Sequence, residues 1–406
     1  MNYSIAKEQI TPDWPMRMAG YRNRVKPFTG VYDQLYTMAL LLDDGKKKAL
    51  IISIDVCMID RSFASGIKAI IKTKYGLDEE NIIVHAIHTH AGPVAFLSHV
   101  EKETPDYEHV LRFRKLLEEK ILICVGKCMS KLKEGFMEIG TGETYIGMSR
   151  RQKKPDGITI GPNPDEEIDR LAYALTIKNS DGEVEVVLFC CPCHPVVLYP
   201  RNMSLSADYP GAARTKLEKK FTGATAMFLQ GSGADINPSV LVADDEYRDT
   251  YYSDVLFIGR VLANDIYNII QKGMHKLEPA IETLADKIIL PLSGKPVREL
   301  KPEESDIIQG EVQAAIIKIS EDFRIVGLDG EICNQIGVHT RELFKEGYTM
   351  VLGYVNGWIG YIPTAEILEE GGYESKCTEF VQAFAGNVEI VLLEQLKALC
   401  DMDAGE

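Results

Sequence analysis

Residues 47–58, KKALIISIDVCM, form an almost unbroken apolar run, and residues 81–87, NIIVHAI, form a second one shortly after. A run this continuous, without polar alternation, suits a strand covered on both faces. Between the runs, Phe63, Ile67, Ile70, Ile71 and Tyr75 recur at helical spacing, and Gly76 breaks the helix. Strand, helix, strand at this spacing is a βαβ unit with a parallel pair, the feature that most restricts the architectures open to the chain.

The rest of the chain continues the alternation. Helices are expected over 107–132, 209–221 and 247–272, and strands over 137–146, 171–177, 184–190 and 224–229. Further strands are expected at 314–319, 324–327 and 348–354, with a helix opening near Glu331. The chain closes on a helix whose apolar face carries Phe380, Phe384, Val388, Val391, Leu392, Leu396 and Leu399. This predicts an α/β fold, a mixed sheet with helices packed on it. All 406 residues read as a single catalytic domain. Pro279, Pro291, Pro296 and Pro302, interleaved with charge, mark 273–305 as the one internal sub-boundary.

The formal net charge is -15, which argues against a phosphate backbone as partner. No apolar run reaches the ~18–20 residues that span a bilayer. Met1–Lys7 carries neither a basic start nor an apolar stretch, so no secretion signal is expected there. Nine cysteines, an odd number, then read as reduced thiols in a cytoplasmic protein. A small-molecule substrate is the expected partner, and self-association is not readable from sequence.

The polar segments fall at expected strand ends, where α/β sheets bind ligands. His88 and His90 directly follow the second apolar run. Residues two apart in an extended chain point the same way, so both imidazoles can enter one site. A plainer reading has one ring packing and the other capping a loop. His194 ends another expected strand, beside Cys190, Cys191 and Cys193. No second spaced cysteine pair exists to close a thiolate site, so these three read as buried structural thiols. Asp208 precedes a helix, as an N-cap does. Asp235 lies in a glycine-rich turn that lets backbone approach a ligand. Glu331 stands at the front of a helix, where a carboxylate offsets the dipole. Tyr361 and Tyr373, taken singly, are packing residues.

Together these segments resemble the neutral/alkaline ceramidase family, in order, from about Gly20 to about Tyr373. The family's His-Thr-His-Ser-Gly-Pro segment, whose first histidine binds zinc, corresponds to His88-Thr89-His90-Ala91-Gly92-Pro93. The resemblance implies His194, Glu331 and Tyr361 as the remaining ligands, and Tyr373 follows Tyr361 at the family's spacing. Ser149-Arg150-Arg151 is similar to a segment whose arginine helps to bind substrate, which implies Arg150 as substrate-binding; Arg151 beside it is a further candidate, since the two charges would suit an acidic substrate. Ala234-Asp235-Ile236-Asn237-Pro238-Ser239 matches the segment of the family's catalytic serine, but Asn237 stands where the serine should be. No counterpart of the family's C-terminal immunoglobulin-like domain is expected in these 406 residues.

The resemblance implies a neutral-ceramidase-like catalytic domain that binds zinc, other divalent metals remaining open. The expected activity is hydrolysis of an amide or ester by a metal-activated water. His90 is the candidate acid or base. Asn237, Tyr373 and Arg150 are candidates to hold an oxyanion or an anionic substrate group, with Asp235 beside them, and Asp208 orients the ligand loops. Asn237 cannot act as the nucleophile that an activated hydroxyl would be. Two alternatives stay open: a metal-dependent lyase or isomerase acting on a small acidic metabolite, and a binding protein that has lost the reaction.

Overall fold

The computed structural model describes residues 1–98, 100–296, 310–378 and 382–403. Two sheets lie back to back with helices on their outer faces, giving four layers. The large sheet runs from Thr225–Gln230 through Val184–Cys191, Leu171–Asn179, Lys133–Glu143, Asn2–Gln9, Tyr36–Asp43 and Lys48–Ile54 to Ile82–Ala86. The short strand His275–Leu277 also pairs with Lys133–Glu143. The small sheet comprises Pro279–Leu290, Gly310–Ser320, Phe323–Leu328 and Tyr348–Leu352.

Side-chain alternation explains why the strands read as unbroken apolar sequence. Leu41, Ile52, Val84 and Phe189 face the helices through Phe63, Phe113, Leu217 and Leu262. Their neighbours Leu40, Ile51, Ile83 and Leu188 face the small sheet, against Ile317, Ile325 and Met350. The outer face of the small sheet, with Ile316, Val326 and Val351, packs on Ile336, Leu392 and Leu396. Successive residues serve opposite cores. Each such aliphatic side chain contributes about 1.5–3 kcal/mol on burial.

Three βαβ units organise the molecule. The expected one is present: Lys48–Ile54 and Ile82–Ala86 are parallel, with Leu50 opposite Ile82. Helix Arg61–Tyr75 connects them, ending at Gly76 in the left-handed region (φ 68°). Val184–Cys191 and Thr225–Gln230 form a second parallel pair across helix Asp208–Lys220. Phe323–Leu328 and Tyr348–Leu352 form a third across helix Asn334–Glu342.

The structure also departs from expectation. His275–Leu277 still joins the large sheet, but the strands from Pro279–Leu290 to Tyr348–Leu352 make their own sheet instead of extending a single mixed one; the chain crosses between the two at Leu277–Pro279, within the expected 273–305 boundary, and Pro302 is outside the described residues. Asn2–Gln9, which gave no strand signal, lies in the middle of the large sheet, paired on both sides. Glu331 is not at a helix front. It sits on a two-residue strand, Glu331–Ile332, pairing in parallel with Tyr361–Ile362, and the helix opens at Asn334. The closing helix is Val388–Asp403; Phe384 lies before it on strand Gln382–Phe384, and Phe380 is outside the described residues. Among the described residues, no helix is long and apolar enough to cross a membrane.

Candidate metal centre

Each βαβ unit delivers one candidate ligand at the carboxyl end of one strand and the group that aims it at the end of the other. His88 follows Ile82–Ala86. Its backbone N–H donates to Val56 O at 3.0 Å, and its Nδ1–H donates to Cys57 O at 2.8 Å, both just past Lys48–Ile54. His194 follows Val184–Cys191. Its N–H donates to Ile236 O at 2.9 Å and its Nδ1–H to Gly233 O at 2.8 Å, both just past Thr225–Gln230. Glu331 follows Phe323–Leu328. Past Tyr348–Leu352, Trp358 Nε1–H donates to Glu331 Oε1 at 2.9 Å and Tyr354 OH to Oε2 at 3.3 Å.

A carbonyl only accepts, so both histidines carry their proton on Nδ1 and present a bare Nε2 lone pair. These two atoms lie 3.0 Å apart, and Glu331 Oε2 is 3.4 Å from each. All three residues are buried. Three acceptors facing one another in a buried site repel unless a cation lies between them. Tetrahedral zinc with bonds of about 2.0–2.1 Å separates its ligand atoms by about 3.3–3.4 Å. The triangle therefore fits a zinc-sized ion. The electrostatics ask for the same charge. Burial depresses His88, but Cys57 and Glu331 outweigh it and hold the ring up to about 10, as though a proton stood in for a cation. Burial also raises Glu331, yet the two histidines hold it well below the ordinary carboxylate range.

Tyr361 lies opposite Glu331 in the parallel register, and its hydroxyl accepts from Arg150 Nη2 at 2.9 Å. It lines one cavity of about 470 Å³ together with His88, His90, Glu331 and Tyr373. His90 Nε2 is 3.1 Å from His88 Nε2, and its Nδ1 is buried without a hydrogen-bond partner among the described residues. Gly20 closes over the His90 ring: with φ 93°, a Cβ there would sit 2.4 Å from it. His88 (φ 66°) and Tyr354 (φ 57°) hold left-handed backbone, and their rings stack at 4.0 Å. Such strain persists only where the surroundings over-determine it.

The arginines are placed otherwise than expected. Arg150 Nε–H donates to Glu374 Oε1 and Arg151 Nη1–H to Oε2, each at 2.8 Å, and Arg151 also pairs with Glu370. All of Arg150, Arg151 and Glu374 are buried, and neither arginine is among the cavity-lining residues. Asp235 likewise turns away from the cavity: its carboxylate accepts from Asn334 N at 2.7 Å, joining the glycine-rich turn to the third unit. Asp208 accepts from Val197, Leu198 and Tyr209 N–H groups, fixing the chain just beyond His194. Asn237 pairs beside Met148; its Nδ2 donates to Tyr247 OH at 3.3 Å and its Oδ1 is buried unpartnered among the described residues. Cys190, Cys191 and Cys193 are buried free thiols, pushed up by burial.

Sequence reasoning missed Cys57, Tyr354, Trp358 and Glu374. Cys57 Sγ lies 3.6 Å from His88 Nδ1. Its position past the first apolar run, at the end of a parallel strand, was the available signal.

Residues 5–250 match the family model described as neutral/alkaline non-lysosomal ceramidase, N-terminal. The neutral ceramidase of Pseudomonas aeruginosa is 21% identical over 251 residues, 59% of this chain and 37% of that protein. Neutral ceramidase 2 of Arabidopsis thaliana is 27% identical over 249 residues, 57% of this chain and 32% of that protein. The matched stretch thus spans about a third of the length of these relatives. In three dimensions, the crystal structure of the Pseudomonas aeruginosa neutral ceramidase superposes with a TM-score of 0.80 at 16% identity, covering 98% of this chain and 73% of that one.

Proposed function

The chain belongs to the neutral/alkaline non-lysosomal ceramidase family, and from that premise we propose that it is a zinc-dependent hydrolase of an amide bond. The observation that carries this reading is the convergence of two tautomer-fixed imidazoles and a carboxylate within 3.0–3.4 Å. His88, His194, Glu331 and Tyr361 would hold the ion. Bound there, zinc would supply a Lewis acid for a carbonyl oxygen and water activated near neutral pH.

The chain's own residues supply the rest. His90 is in place to carry a proton, with Nε2 toward the ligand cluster and Nδ1 uncommitted. Tyr373, half-exposed on the cavity wall, is in reach of a substrate oxygen. Arg150 acts on Tyr361, keeping a cationic donor on its hydroxyl, and Glu374 holds Arg150 there. Asn237 leaves no hydroxyl nucleophile at its position, which favours attack by water over an acyl-enzyme.

Metal analysis of wild type, His88→Ala and His194→Ala tests the ligand set. Wild type should hold one equivalent of zinc and each variant far less; full occupancy in both variants would refute it. Product mass tests the reaction class, since hydrolysis adds one water and a lyase or isomerase does not.

A further inference from the structure

The cavity over the metal centre is graded. His88 and Glu331 are buried in it, Met18, Met58, Val94 and Phe96 give it apolar walls, and Arg17 and Arg22 also line it. Among the described residues, the only acidic one in that lining is Glu331, a proposed metal ligand. In a chain of net charge -15, the rest of the cavity is therefore locally cationic.

Neither arginine is committed as Arg150 and Arg151 are. Arg22 is exposed and makes no ion pair or side-chain hydrogen bond among the described residues. Arg17 has one long contact, Nη1 to Asp106 Oδ2 at 3.4 Å, and its buried Nε–H has no partner among the described residues. The hydroxyl of Tyr21 is buried and unpartnered as well. A guanidinium N–H left buried without an acceptor costs stability, and an anionic ligand would supply the acceptor. The segment bearing these groups is fixed to the histidine loop. Val94 N–H donates to Arg17 O at 3.0 Å, Ala19 N–H donates to Gly92 O at 2.9 Å, and the Tyr21 ring meets the His90 ring at 5.0 Å. The segment that bears the donors is thus anchored to the loop that carries His88 and His90.

We propose that the substrate is an amide whose amine half carries a carboxylate, the chemistry of an N-acyl amino acid. Its apolar acyl chain lies on Met18, Met58, Val94 and Phe96, and its carboxylate is received by Arg17 and Arg22. Charge-assisted and bidentate contacts make guanidinium the fitting partner for a carboxylate. The assignment rests on the hydrolase reading above. Water adds across the C–N bond: its OH goes to the acyl carbon, its hydrogen to the departing amine, and the products are a fatty acid and an amino acid.

The test compares N-lauroylglycine with N-lauroylethanolamine, which differ in the carboxylate, on zinc-reconstituted wild type, Arg22→Gln and Arg17→Gln/Arg22→Gln. Wild type should prefer the carboxylate by about tenfold or more in kcat/KM, and the double variant should lose that preference. Equal rates in wild type, or an undiminished preference in the double variant, would overturn the assignment. Calorimetric binding of both amides separates it from the hydrolase reading. If neither amide is cleaved, the hydrolase reading fails. Carboxylate-selective binding that the double variant loses would then still support anion recognition by the two arginines, and its absence would overturn it.

Discussion

The two histidines and the carboxylate proposed as ligands are aimed in different ways. His88 and His194 are each turned by main-chain carbonyls, of Cys57 and Gly233, that no side-chain substitution removes. Glu331 is turned by side chains, Trp358 and Tyr354. The reason is chemical: an imidazole that must present a lone pair needs an acceptor behind it, whereas a carboxylate needs donors. The histidines also come from the large sheet, within the stretch matched by the family model, and the carboxylate from the small sheet outside it. One half of the centre is thus built into backbone, and the other is exposed to mutation and depends on how the two sheets dock.

Removing the carboxylate should give the largest effect. Glu331→Ala leaves the two histidines aimed but uncompensated, and zinc affinity should fall a hundredfold or more, the scale of a broken buried charge contact at ~3–5 kcal/mol. Chelator competition measures it. Near-wild-type affinity would remove Glu331 from the ligand set. Loosening the docking should come next. Ile317→Ala, in the core shared by the sheets, should cost about 2–5 kcal/mol in denaturant unfolding while the transition stays single. Two separate transitions would show that the sheets fold independently.

That asymmetry also sorts what was legible in the sequence. The expected strands buried on both faces announced themselves, because Ile51 and Ile52, or Ile83 and Val84, are apolar for opposite cores. The histidines stood out because a strand signal led straight into them. Asn2–Gln9 was missed because Lys7, Glu8 and Gln9 break its apolar pattern, although Tyr3 is fully buried. Glu331 was seen as a residue but placed wrongly. Its two-residue strand exists only through pairing with Tyr361, a contact with no local signal. Arg150 and Arg151 drew attention as free charges for substrate, because Glu374, which claims both, lies far along the chain.

The junction between the halves should also respond to pH. Asp235 spans it, accepting from Asn334 N, and burial pushes its carboxyl up to about 6 against that hydrogen bond. An unfolded aspartate titrates near 3.9. The folded form therefore binds the proton more tightly. Its contribution is fully present below about pH 3.9 and is lost as pH rises through 6, by at most ~3 kcal/mol. Asp235→Asn keeps the Oδ1 acceptor without the titration, so the fall in stability between pH 4 and 6 should be shallower than in wild type. Asp208, also raised to about 6 by burial, stays within the large-sheet half and uses both oxygens for three backbone donors. Its asparagine variant would turn an NH₂ toward an N–H and lose stability at every pH. Identical pH profiles for wild type and Asp235→Asn would remove Asp235 from this account.

The smallest effects separate the two donors to Glu331. Trp358 holds Oε1, the oxygen turned from the histidines, and so fixes the carboxylate's rotation with Oε2 toward them. Trp358→Phe should weaken zinc binding about tenfold, the usual cost of losing a group that orients a ligand. Tyr354 donates to Oε2 itself, over a longer 3.3 Å, and its ring stacks on His88. Phenylalanine keeps the ring and gives up only that longer bond, which also competes for the lone pairs a metal would use. Tyr354→Phe should therefore change affinity only a few-fold, near the ~1 kcal/mol of an ordinary hydrogen bond. The order matters more than either value. If Tyr354→Phe costs more than Trp358→Phe, the carboxylate is oriented by the oxygen it offers rather than by the one it turns away, and side-chain aiming works differently from the carbonyl aiming of the histidines.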